Sequence, residues 1–399
     1  MRYRLLLLLF AAPLAAWTAP APDPPGPRGP VGPEVPLAEA EAARLANRVV
    51  AEGRTAAAVQ AACDRAAKEE APAVFLPEGT YDFGTTVRVP GGLTVLGAGP
   101  KTVCRAAGRK VRLFQVEGGG VRLTRLRLRG ADTSPNTDNA TDGIRVAGQP
   151  NARIDHCELL GFSYAIRIAH EATAQVDHCR IHHNLRDGLG YGVAVYAGAY
   201  ALVCDNAFHQ NRHSLASNGA LDWSSPKRLG KYVHKPGVRK THWDFVHNRV
   251  GSNDLSPYEL CAVDTHPGMD GTFRIERNVF ENLRHAVGIR DGSGIIRGNL
   301  FRNLGTRTTF RPLIAISIAA GKHNGIPVEG CMPHHVAVDE NRFDMEEGAT
   351  YQRCSVGEAE NVTLDGRLVP ETRSDRSGPA ILRLQEMGDD GVLRWRERP

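Results

Sequence analysis

A short segment with apolar residues at alternate positions recurs seven times along the chain. The copies are residues 143–147, 165–169, 192–196, 214–218, 262–266, 286–290 and 315–319. Alternation of this kind predicts a β-strand with one buried face. Because so short a strand cannot bury its apolar face alone, we expect the copies to stack as successive coils of a solenoid.

A second repeated element ends in a turn residue. Its copies are residues 153–157, 175–179, 202–206, 244–248, 274–278, 295–299 and 337–341, and they end in Asn five times and in Cys twice. Asn tolerates a left-handed backbone and bonds its own backbone, which suits a sharp turn between strands. The two elements together predict an all-β fold, a single right-handed parallel β-helix. A β-propeller or a sandwich, the alternative, would show longer antiparallel strands.

The two ends of the chain differ from this repeat. Residues 1–21 have a basic start and an apolar run too short to span a bilayer, which indicates a secretory signal peptide. Residues 22–36 are Pro-rich and predict an extended, poorly ordered spacer. Residues 37–72 predict an N-terminal helical cap over the first coil. The β-helix is then expected over residues 73–349, with a C-terminal cap or tail over 350–399.

The predicted cap has two helices broken at Gly53. Thr55 is suited to cap the second helix, and Val59, Cys63 and Ala66 fall on one face of it. This face is expected to cover the open end of the stack.

The composition narrows the cellular context and the partners. A signal peptide without a later membrane span indicates a secreted protein, extracellular or periplasmic. Eight cysteines in an exported chain allow disulfides. Cys157 and Cys179 occupy the same position of successive coils, where a disulfide and two free buried thiols fit equally well. Few aromatic residues lie among the basic ones, so no nucleic-acid partner is expected. The oligomeric state stays open.

The repeat breaks in the middle of the chain. A loop over residues 219–241 is inserted there, rich in Lys and Arg, and it carries Trp223, Lys231 and Tyr232. In the same coils the second inward position of the strand becomes Ser217 and then Thr265. Long loops on a rigid scaffold often carry function, and local exceptions to a repeat are expected at functional sites.

The outward positions of the stacked strands form two columns. The first column is Arg145, Arg167, Ala194, Ala216, Asp264, Gly288 and Ser317, and the second is Ala147, Ala169, Tyr196, Asn218, His266, Arg290 and Ala319. The small residues predict the floor of an open groove. Asp264 and His266 are expected at its centre, with Arg290 on one side. His213 precedes its strand and is expected at the rim.

A metal site is one interpretation of this centre. Asp264, His266, Asp270 and His213 carry ligand atoms, and Ca²⁺ is the ion that such a site in a β-helix would suggest. Calcium prefers several carboxylates, which are sparse here. We therefore expect no metal and no cofactor, with Ca²⁺ as the alternative.

Several segments resemble the pectin-lyase-like superfamily of right-handed β-helix proteins. They are the predicted N-terminal helix running into residues 74–81, the segment 93–99, and the coils with an Asn-x-Phe turn. The resemblance covers about residues 55–345. It implies the parallel β-helix fold, which hosts lyases, hydrolases, epimerases and non-catalytic rods.

The centre of the groove carries a local resemblance as well. Asp264 and His266 are similar in spacing to the Asp-Pro-His-Asp motif of alginate C5-epimerases of this fold, with Thr265 in place of the Pro and Pro267 in place of the last Asp. This similarity implies chemistry on an acidic polysaccharide. The net charge of +5 independently favours an anionic ligand.

Proton removal next to a uronate carboxylate requires a base and a cation that neutralises the developing charge. We expect His266 as the base and Asp264 as its orienter, with Arg290 or Arg167 as the neutralising cation. Tyr196 is the candidate acid and His213 the alternative base. The expected substrate-binding residues are Arg145, Arg167, Asn218, Trp223, Lys231 and Tyr232.

Two other functions remain open, and with them the question whether the chain is an enzyme. A non-catalytic glycan-binding or surface module would use the same groove without turnover. A glycoside hydrolase would need a pair of acidic residues, and Asp264 has no acidic partner in the two columns.

Overall fold

The computed structural model describes residues 25–219, 237–252, 261–269, 271–302, 313–323, 326–328, 331–344, 351–369, 382–387 and 393–397. Within these residues there are two helices, α1 (Glu39–Arg44) and α2 (Ala56–Lys68), and 37 strands. The strands are β1 (Arg48–Val50), β2 (Ala73–Leu76), β3 (Gly79–Phe83), β4 (Val87–Val89), β5 (Thr94–Gly97), β6 (Thr102–Ala106), β7 (Arg112–Val116), β8 (Arg122–Thr124), β9 (Arg127–Arg129), β10 (Asp142–Ala147), β11 (Ala152–Asp155), β12 (Glu158–Leu160), β13 (Tyr164–Ala169), β14 (Thr173–Asp177), β15 (Arg180–Asn184), β16 (Tyr191–Val195), β17 (Tyr200–Cys204), β18 (Ala207–Asn211), β19 (His213–Ser217), β20 (His242–Val246), β21 (Arg249–Val250), β22 (Val263–Thr265), β23 (Thr272–Glu276), β24 (Val279–Glu281), β25 (His285–Ile289), β26 (Gly292–Arg297), β27 (Leu300–Arg302), β28 (Leu313–Ile318), β29 (Lys322–His323), β30 (Ile326–Pro327), β31 (Pro333–Asp339), β32 (Arg342–Asp344), β33 (Tyr351–Val356), β34 (Glu360–Leu364), β35 (Arg367–Leu368), β36 (Leu382–Met387) and β37 (Leu393–Glu397).

Most of these strands form three long sheets that run along the stack. Sheet 1 has the order β1-β2-β5-β8-β11-β14-β17-β20-β23-β26-β31-β34-β35, sheet 2 the order β4-β7-β10-β13-β16-β19-β22-β25-β28-β33, and sheet 3 the order β3-β6-β9-β12-β15-β18-β21-β24-β27-β32. Successive strands of the chain belong to sheets 1, 3 and 2 in turn. Within these three sheets, neighbouring strands are parallel from β2 to β33, as for β13 and β16. The prediction of an all-β parallel β-helix is confirmed.

The interior is a narrow apolar core shared by all three sheets. Inward residues of sheet 2 such as Ile144, Val146 and Ile166 are fully buried in it. Aromatic rings of sheet 3 stack along the axis, and the pair Phe280 and Phe301 has ring centroids 5.1 Å apart. Similar side chains at the same position of successive coils therefore pack on one another, as a solenoid requires.

The Asn turns bond to one another along the stack. The Asn248 Oδ1 accepts the backbone N–H of Asn206 at 3.0 Å, and the Asn248 Nδ2 donates to the carbonyl of Val203 at 2.9 Å. The left-handed residue of each turn is not the Asn but the residue before it, as at Asp205 (φ 57°) and His247 (φ 56°). The Asn is conformationally ordinary and is used for its amide, which satisfies backbone groups of neighbouring coils.

Cys157 and Cys179 occupy the Asn position in their coils. Both thiols are buried, and no disulfide joins them. The backbone N–H of Cys179 donates to the Oδ1 of Asn206 at 2.8 Å, so the series of turns starts at this point.

The N-terminal cap differs in part from the prediction. The Thr55 Oγ1 accepts from the backbone N–H of Ala58 at 3.2 Å, and the face with Val59, Cys63 and Ala66 is buried against the first coil, as predicted. The first predicted helix is shorter than expected. It ends at Arg44, and the chain then forms β1, which pairs with β2 in parallel.

Residues 25–36 pack against the coils, which corrects the expectation of a loose spacer. The Arg28 guanidinium binds both carboxylate oxygens of Asp205, with Nε–Oδ1 at 2.9 Å and Nη2–Oδ2 at 2.6 Å. The backbone N–H of Gly32 donates to the carbonyl of His178 at 2.8 Å. The expected signal peptide, residues 1–21, lies outside the described residues.

The stack also continues past its predicted end at residue 349. Strand β33 pairs with β28, and β34 with β31, both in parallel. The antiparallel hairpin of β36 and β37 lies against β17 on the side of sheet 1 rather than at the end of the stack. Among the helices that the structure describes, none is long and apolar enough to cross a membrane.

Candidate functional site

The two predicted columns lie on the outer face of sheet 2 in the predicted register. Asp264 lies opposite Ala216 on one side and Gly288 on the other. The strands leave the sheet together, because the backbone N–H of His266 donates to the carbonyl of Ser217 at 2.7 Å. The three polar residues of the predicted centre are therefore side by side.

Asp264 is the centre of a hydrogen-bonded cluster. Its Oδ1 accepts from the Nε of Arg290 at 2.9 Å, and its Oδ2 accepts from the Nη2 of Arg290 and lies 3.0 Å from the Nε2 of His266. Burial on its own raises the pKa of Asp264, but Arg290, His266 and His213 together hold it well below its ordinary value. The carboxylate is therefore ionised at neutral pH.

The groove is not open at this point, which corrects the expectation. Asp264 is 1% exposed, and Ala194 and Ala216 beside it are fully buried. The side chains of His266 and Arg290 keep 21% and 32% of their surface exposed. A ligand on this face would meet the imidazole and the guanidinium, with the carboxylate behind them.

The contact with Asp264 orients the His266 imidazole. A ring nitrogen facing an ionised carboxylate carries the proton, so the Nε2 of His266 is assigned as the donor. The Nδ1 then holds the lone pair of the neutral ring. This is the tautomer that a base needs, with the carboxylate placed to stabilise the imidazolium that forms on proton uptake.

His213 does not lie at the rim, which corrects the expected position of this alternative base. It is 1% exposed, its Nδ1 donates to the Cys261 carbonyl at 2.5 Å, and its Nε2 lies 3.6 Å from the Oδ2 of Asp264. Burial lowers the pKa of His213 to about 3. The ring is thus neutral and enclosed beside Asp264.

Arg290 and Arg167 were both candidates for the neutralising cation, and their positions separate them. Arg290 uses Nε and Nη2 on Asp264, which leaves the N–H groups of Nη1 for a ligand. Arg167 lies opposite Ala194 in the next strand. Ala194 lies opposite Ala216, and Ala216 lies opposite Asp264, so Arg167 and Asp264 are three strands apart. At about 4.8 Å per strand the backbone of Arg167 is roughly 14 Å from that of Asp264, whereas Arg290 bonds Asp264 directly.

Tyrosine rings cover the face between these two positions. Tyr196 belongs to a small apolar cluster outside the core, and burial raises its pKa well above the ordinary value. Tyr191 was missed, although its ring lies edge-on to His266 with centroids 6.0 Å apart. Tyr164 was missed as well, and it contacts Tyr191 at 5.4 Å. Tyr191 is therefore closer to the proposed base than Tyr196.

The sequence does contain a signal for these rings, three residues before each member of the first column. Asp142, Tyr164, Tyr191 and His213 pair with one another in successive strands. The column was visible in the repeat but lies outside the short segment used to align it.

The other predicted ligand contacts have mixed outcomes. Arg145 lies opposite Arg167 on the same face, as predicted. The Asn218 carbonyl accepts from the Oγ1 of Thr241 at 2.9 Å, so its backbone joins the ends of the inserted loop. The remaining predicted contacts and one candidate metal ligand lie outside the described residues, and they are Trp223, Lys231, Tyr232 and Asp270.

Donor atoms for a metal ion meet at one place in the described residues. His213, Cys261 and Asp264 each offer one donor, and these three atoms lie within 4.8 Å of one another. A nitrogen, a sulfur and a single carboxylate suit zinc better than calcium. Both oxygens of Asp264 are already bonded to Arg290 and His266, however, so the carboxylate is satisfied without an ion.

The comparisons with known proteins agree with this fold. The family model described as "Right handed beta helix region" matches residues 118–227. The chain is a right-handed parallel β-helix protein in its fold. No curated protein sequence matches it.

Similarity to solved structures is low in both identity and TM-score. The chain is similar to ORF18 of Geobacillus virus E2, with 12% identity and a TM-score of 0.47, over 78% of this chain and 59% of that one. It is similar to an alginate lyase from Paenibacillus sp. str. FPU-7, with 13% identity and a TM-score of 0.41, over 78% and 98%. It is also similar to the A-module of the mannuronan C-5 epimerase AlgE6 from Azotobacter vinelandii, with 13% identity and a TM-score of 0.39, over 81% and 96%.

Proposed function

We propose that this protein acts on an acidic polysaccharide by removing the proton next to a uronate carboxylate, as a lyase or a C5-epimerase. The observation that carries the proposal is the pair of His266 and Asp264, 3.0 Å apart, on an outer face lined with tyrosines and arginines. The carboxylate orients the imidazole, and the imidazole remains accessible to a ligand. A base held in this way suits abstraction of a carbon-bound proton.

The chemistry follows from the positions of four side chains. The Nδ1 of His266 takes the proton from C5, and Asp264 stabilises the resulting imidazolium. The free Nη1 of Arg290 binds the uronate carboxylate, on which negative charge develops. Burial raises the pKa of Tyr191 to about 12, so its phenol stays protonated. Its ring lies edge-on to His266 and its hydroxyl donates to the Gly188 carbonyl at 3.3 Å, and in this proposal it is the proton donor.

The fate of the C5 carbanion separates the two reactions. In a lyase the C4–O bond breaks, a C4–C5 double bond forms, and the leaving oxygen takes a proton from Tyr191. In an epimerase the C5–H bond broken by His266 is replaced by a new C5–H bond on the opposite face, with the proton from Tyr191, and no glycosidic bond breaks. Neither route needs a further reactant.

A panel of uronate polysaccharides tests the proposal directly. Lyase action produces ultraviolet absorbance from the conjugated double bond, and epimerase action exchanges solvent deuterium into the polymer. Reducing ends without absorbance would indicate hydrolysis. Parallel samples with a chelator show whether Ca²⁺ is needed. The proposal is overturned if no polysaccharide shows absorbance or deuterium uptake with the wild-type protein.

A non-catalytic glycan-binding module is the second candidate. The burial of Asp264 favours it, because a carboxylate enclosed by Arg290 and His266 also serves a purely structural purpose. Retarded migration of a polyuronate on a gel, with no chemical change of the sugar, would support this function. Hydrolysis is less consistent with the site, since no second carboxylate pairs with Asp264 among the described residues.

A further inference from the structure

We infer that the outer face of sheet 2 has a second, non-catalytic subsite, formed by Arg112, Arg145, Arg167 and Tyr164, which binds the carboxylate of a distant uronate in the same polymer chain. This inference rests on the proposed function and adds to it a requirement for long substrates. We call these four residues the remote subsite.

The remote subsite lies in line with the proposed catalytic centre. Arg145 and Arg167 are opposite each other in neighbouring strands, in the same column as Asp264. The residues between them and Asp264 are Ala194 and Ala216, so no long side chain of this column stands between the two places. At about 4.8 Å per strand the separation from Arg167 to Asp264 is roughly 14 Å.

The charges of the remote subsite do not balance. Three arginines surround one carboxylate, Asp142, whose Oδ2 lies 3.5 Å from the Nε of Arg112. Arg145 and Arg167 make no ion pair with the residues that the structure describes. Burial lowers the pKa of Arg145, and the neighbouring Arg112 and Arg167 lower it further, which shows the mutual repulsion of the cations. An anion would relieve that repulsion.

The guanidinium groups also have unused donors. The Nε atoms of Arg145 and Arg167 are buried and have no hydrogen-bond partner among the described residues. A buried donor without a partner is costly, and a bound carboxylate would accept from it. Arginine is suited to this because its planar fork matches the two oxygens of a carboxylate.

Tyrosine rings contact the Arg167 guanidinium and lie between the remote subsite and His266. The Arg167 guanidinium carbon lies 5.1 Å from the centre of the Tyr164 ring and 5.9 Å from that of Tyr196. Tyr164 contacts Tyr191, whose ring reaches His266. A polysaccharide lying across these rings would place apolar sugar faces on aromatic carbon and its carboxylates on the arginines.

A requirement for substrate length follows from this geometry. A short oligosaccharide at His266 would not reach Arg167, whereas a polymer of several sugar residues would bind at both places. The second contact then acts at a high effective concentration and strengthens binding. Because Arg167 is remote from the reacting carbon, it lowers KM and leaves kcat unchanged.

The test compares two charge-matched double variants on uronate oligosaccharides of increasing length. One is Arg145→Gln with Arg167→Gln. The control is Arg105→Gln with Arg249→Gln, two exposed arginines on sheet 3. We expect the first variant to raise KM for long chains by about 10- to 100-fold. We expect its kcat, and its KM for the shortest substrates, to match the wild type. The control should retain the length dependence.

Binding to a polyuronate on an affinity gel tests the subsite independently of turnover, with His266→Ala as the background. Equal binding by the Arg145 and Arg167 variant and by its background overturns the subsite, as does an equal loss in the control. Polymer binding that depends on Arg145 and Arg167, without product from the wild type, overturns only the proposed function. Product formation without this dependence overturns only the subsite.

Discussion

Two buried carboxylates on different sheets are bound by the same kinds of side chain. On sheet 2, Asp264 accepts both arms of an arginine and lies 3.0 Å from a histidine nitrogen. On sheet 1, Asp177 accepts the Nε and Nη2 of Arg153 at 3.0 and 2.8 Å and lies 2.9 Å from the Nδ1 of His178. Each carboxylate is 1% exposed. An aspartate with an arginine and a histidine is therefore not by itself a sign of catalysis.

The surroundings of the two clusters differ. On sheet 1 the charges alternate along the stack, because Arg122 and Arg153 lie beside Asp155 and Asp177. His178 is stacked on His156 with ring centroids 5.0 Å apart, and it also lies next to the N-terminal segment. That cluster is neutralised and covered by its own chain. We interpret it as structural.

The sheet 2 cluster has no such continuation. Its neighbours in the column are Ala216 and Gly288, which supply neither charge nor bulk. The next charged residues along this column on the Ala216 side, Arg167 and Arg145, are both positive. The comparison indicates that function on a β-helix is recognised by broken repetition and unbalanced charge, and not by a particular set of residues. The cluster on sheet 1 then provides matched controls.

The largest expected effect separates the two histidines. We predict that His266→Ala lowers kcat/KM by about 10²- to 10⁴-fold, the usual contribution of a general base, whereas His178→Ala leaves it unchanged. Both variants remove an imidazole bonded to a buried aspartate, so the loss of that contact is common to them. The measurement is the rate on whichever uronate polymer the wild type converts.

Added imidazole provides a second readout for this pair. It should restore part of the activity of His266→Ala if the missing group is a base. Equal activity of the two alanine variants would contradict the distinction between the sheets. If both variants lose activity in proportion to a fall in their melting temperatures, the loss of activity results from lower stability and not from the loss of a base.

A smaller effect is expected where the two clusters should behave alike. Asp264→Asn and Asp177→Asn each remove a charge that is bonded to an arginine and a histidine. We predict that each lowers the free energy of unfolding by about 1.5 to 3 kcal/mol, the range for hydrogen bonds to charged groups. Chemical denaturation measures both. Turnover should fall only in Asp264→Asn, and a loss of turnover in Asp177→Asn would contradict the comparison.

The last effects concern pH, and His213 beside Asp264 and His178 beside Asp177 should change the stability in opposite directions. His213 has a lowered pKa, so its contribution to stability is fully present above its ordinary pKa and is lost as the pH falls towards about 3. The loss is about 1.4 kcal/mol per pH unit. The bond to Asp177 raises the pKa of His178, so its contribution is present at low pH and is lost as the pH rises through the folded pKa.

Urea unfolding between pH 7 and pH 4.5 measures these slopes. His213→Gln should flatten the loss of stability on acidification, and His178→Gln should steepen it. An unchanged slope in His213→Gln would show that the ring is not held neutral in the folded protein.

Much of the candidate site could be predicted because a stack turns sequence positions into spatial ones. Aligning seven copies by their apolar residues was enough to place Asp264, His266 and Arg290 together. The same alignment put Arg145 and Arg167 on that face. Tyr191 was missed because the aligned segment began one residue after it, and the ring reaches the site from a column that was not considered.

Other features depended on contacts that no repeat encodes. The buried His213 is bonded to the Cys261 carbonyl. Cys261 belongs to the following coil and comes after a second break in the periodicity. The packing of Arg28 on Asp205 joins residues 177 positions apart. Neither contact has a local pattern that would reveal it.

The sequence by itself determined the coil, its register and the face on which the polar residues meet, because the apolar alternation and the Asn turns repeat and each copy must bury the same side. Only the tertiary structure decided how that face is used. It engaged two arms of Arg290 with Asp264, enclosed Asp264 and His213, and grouped Arg112, Arg145 and Arg167 around the single carboxylate of Asp142. Charge and burial depend on distances between side chains of different coils, and these distances are set by packing rather than by spacing along the chain.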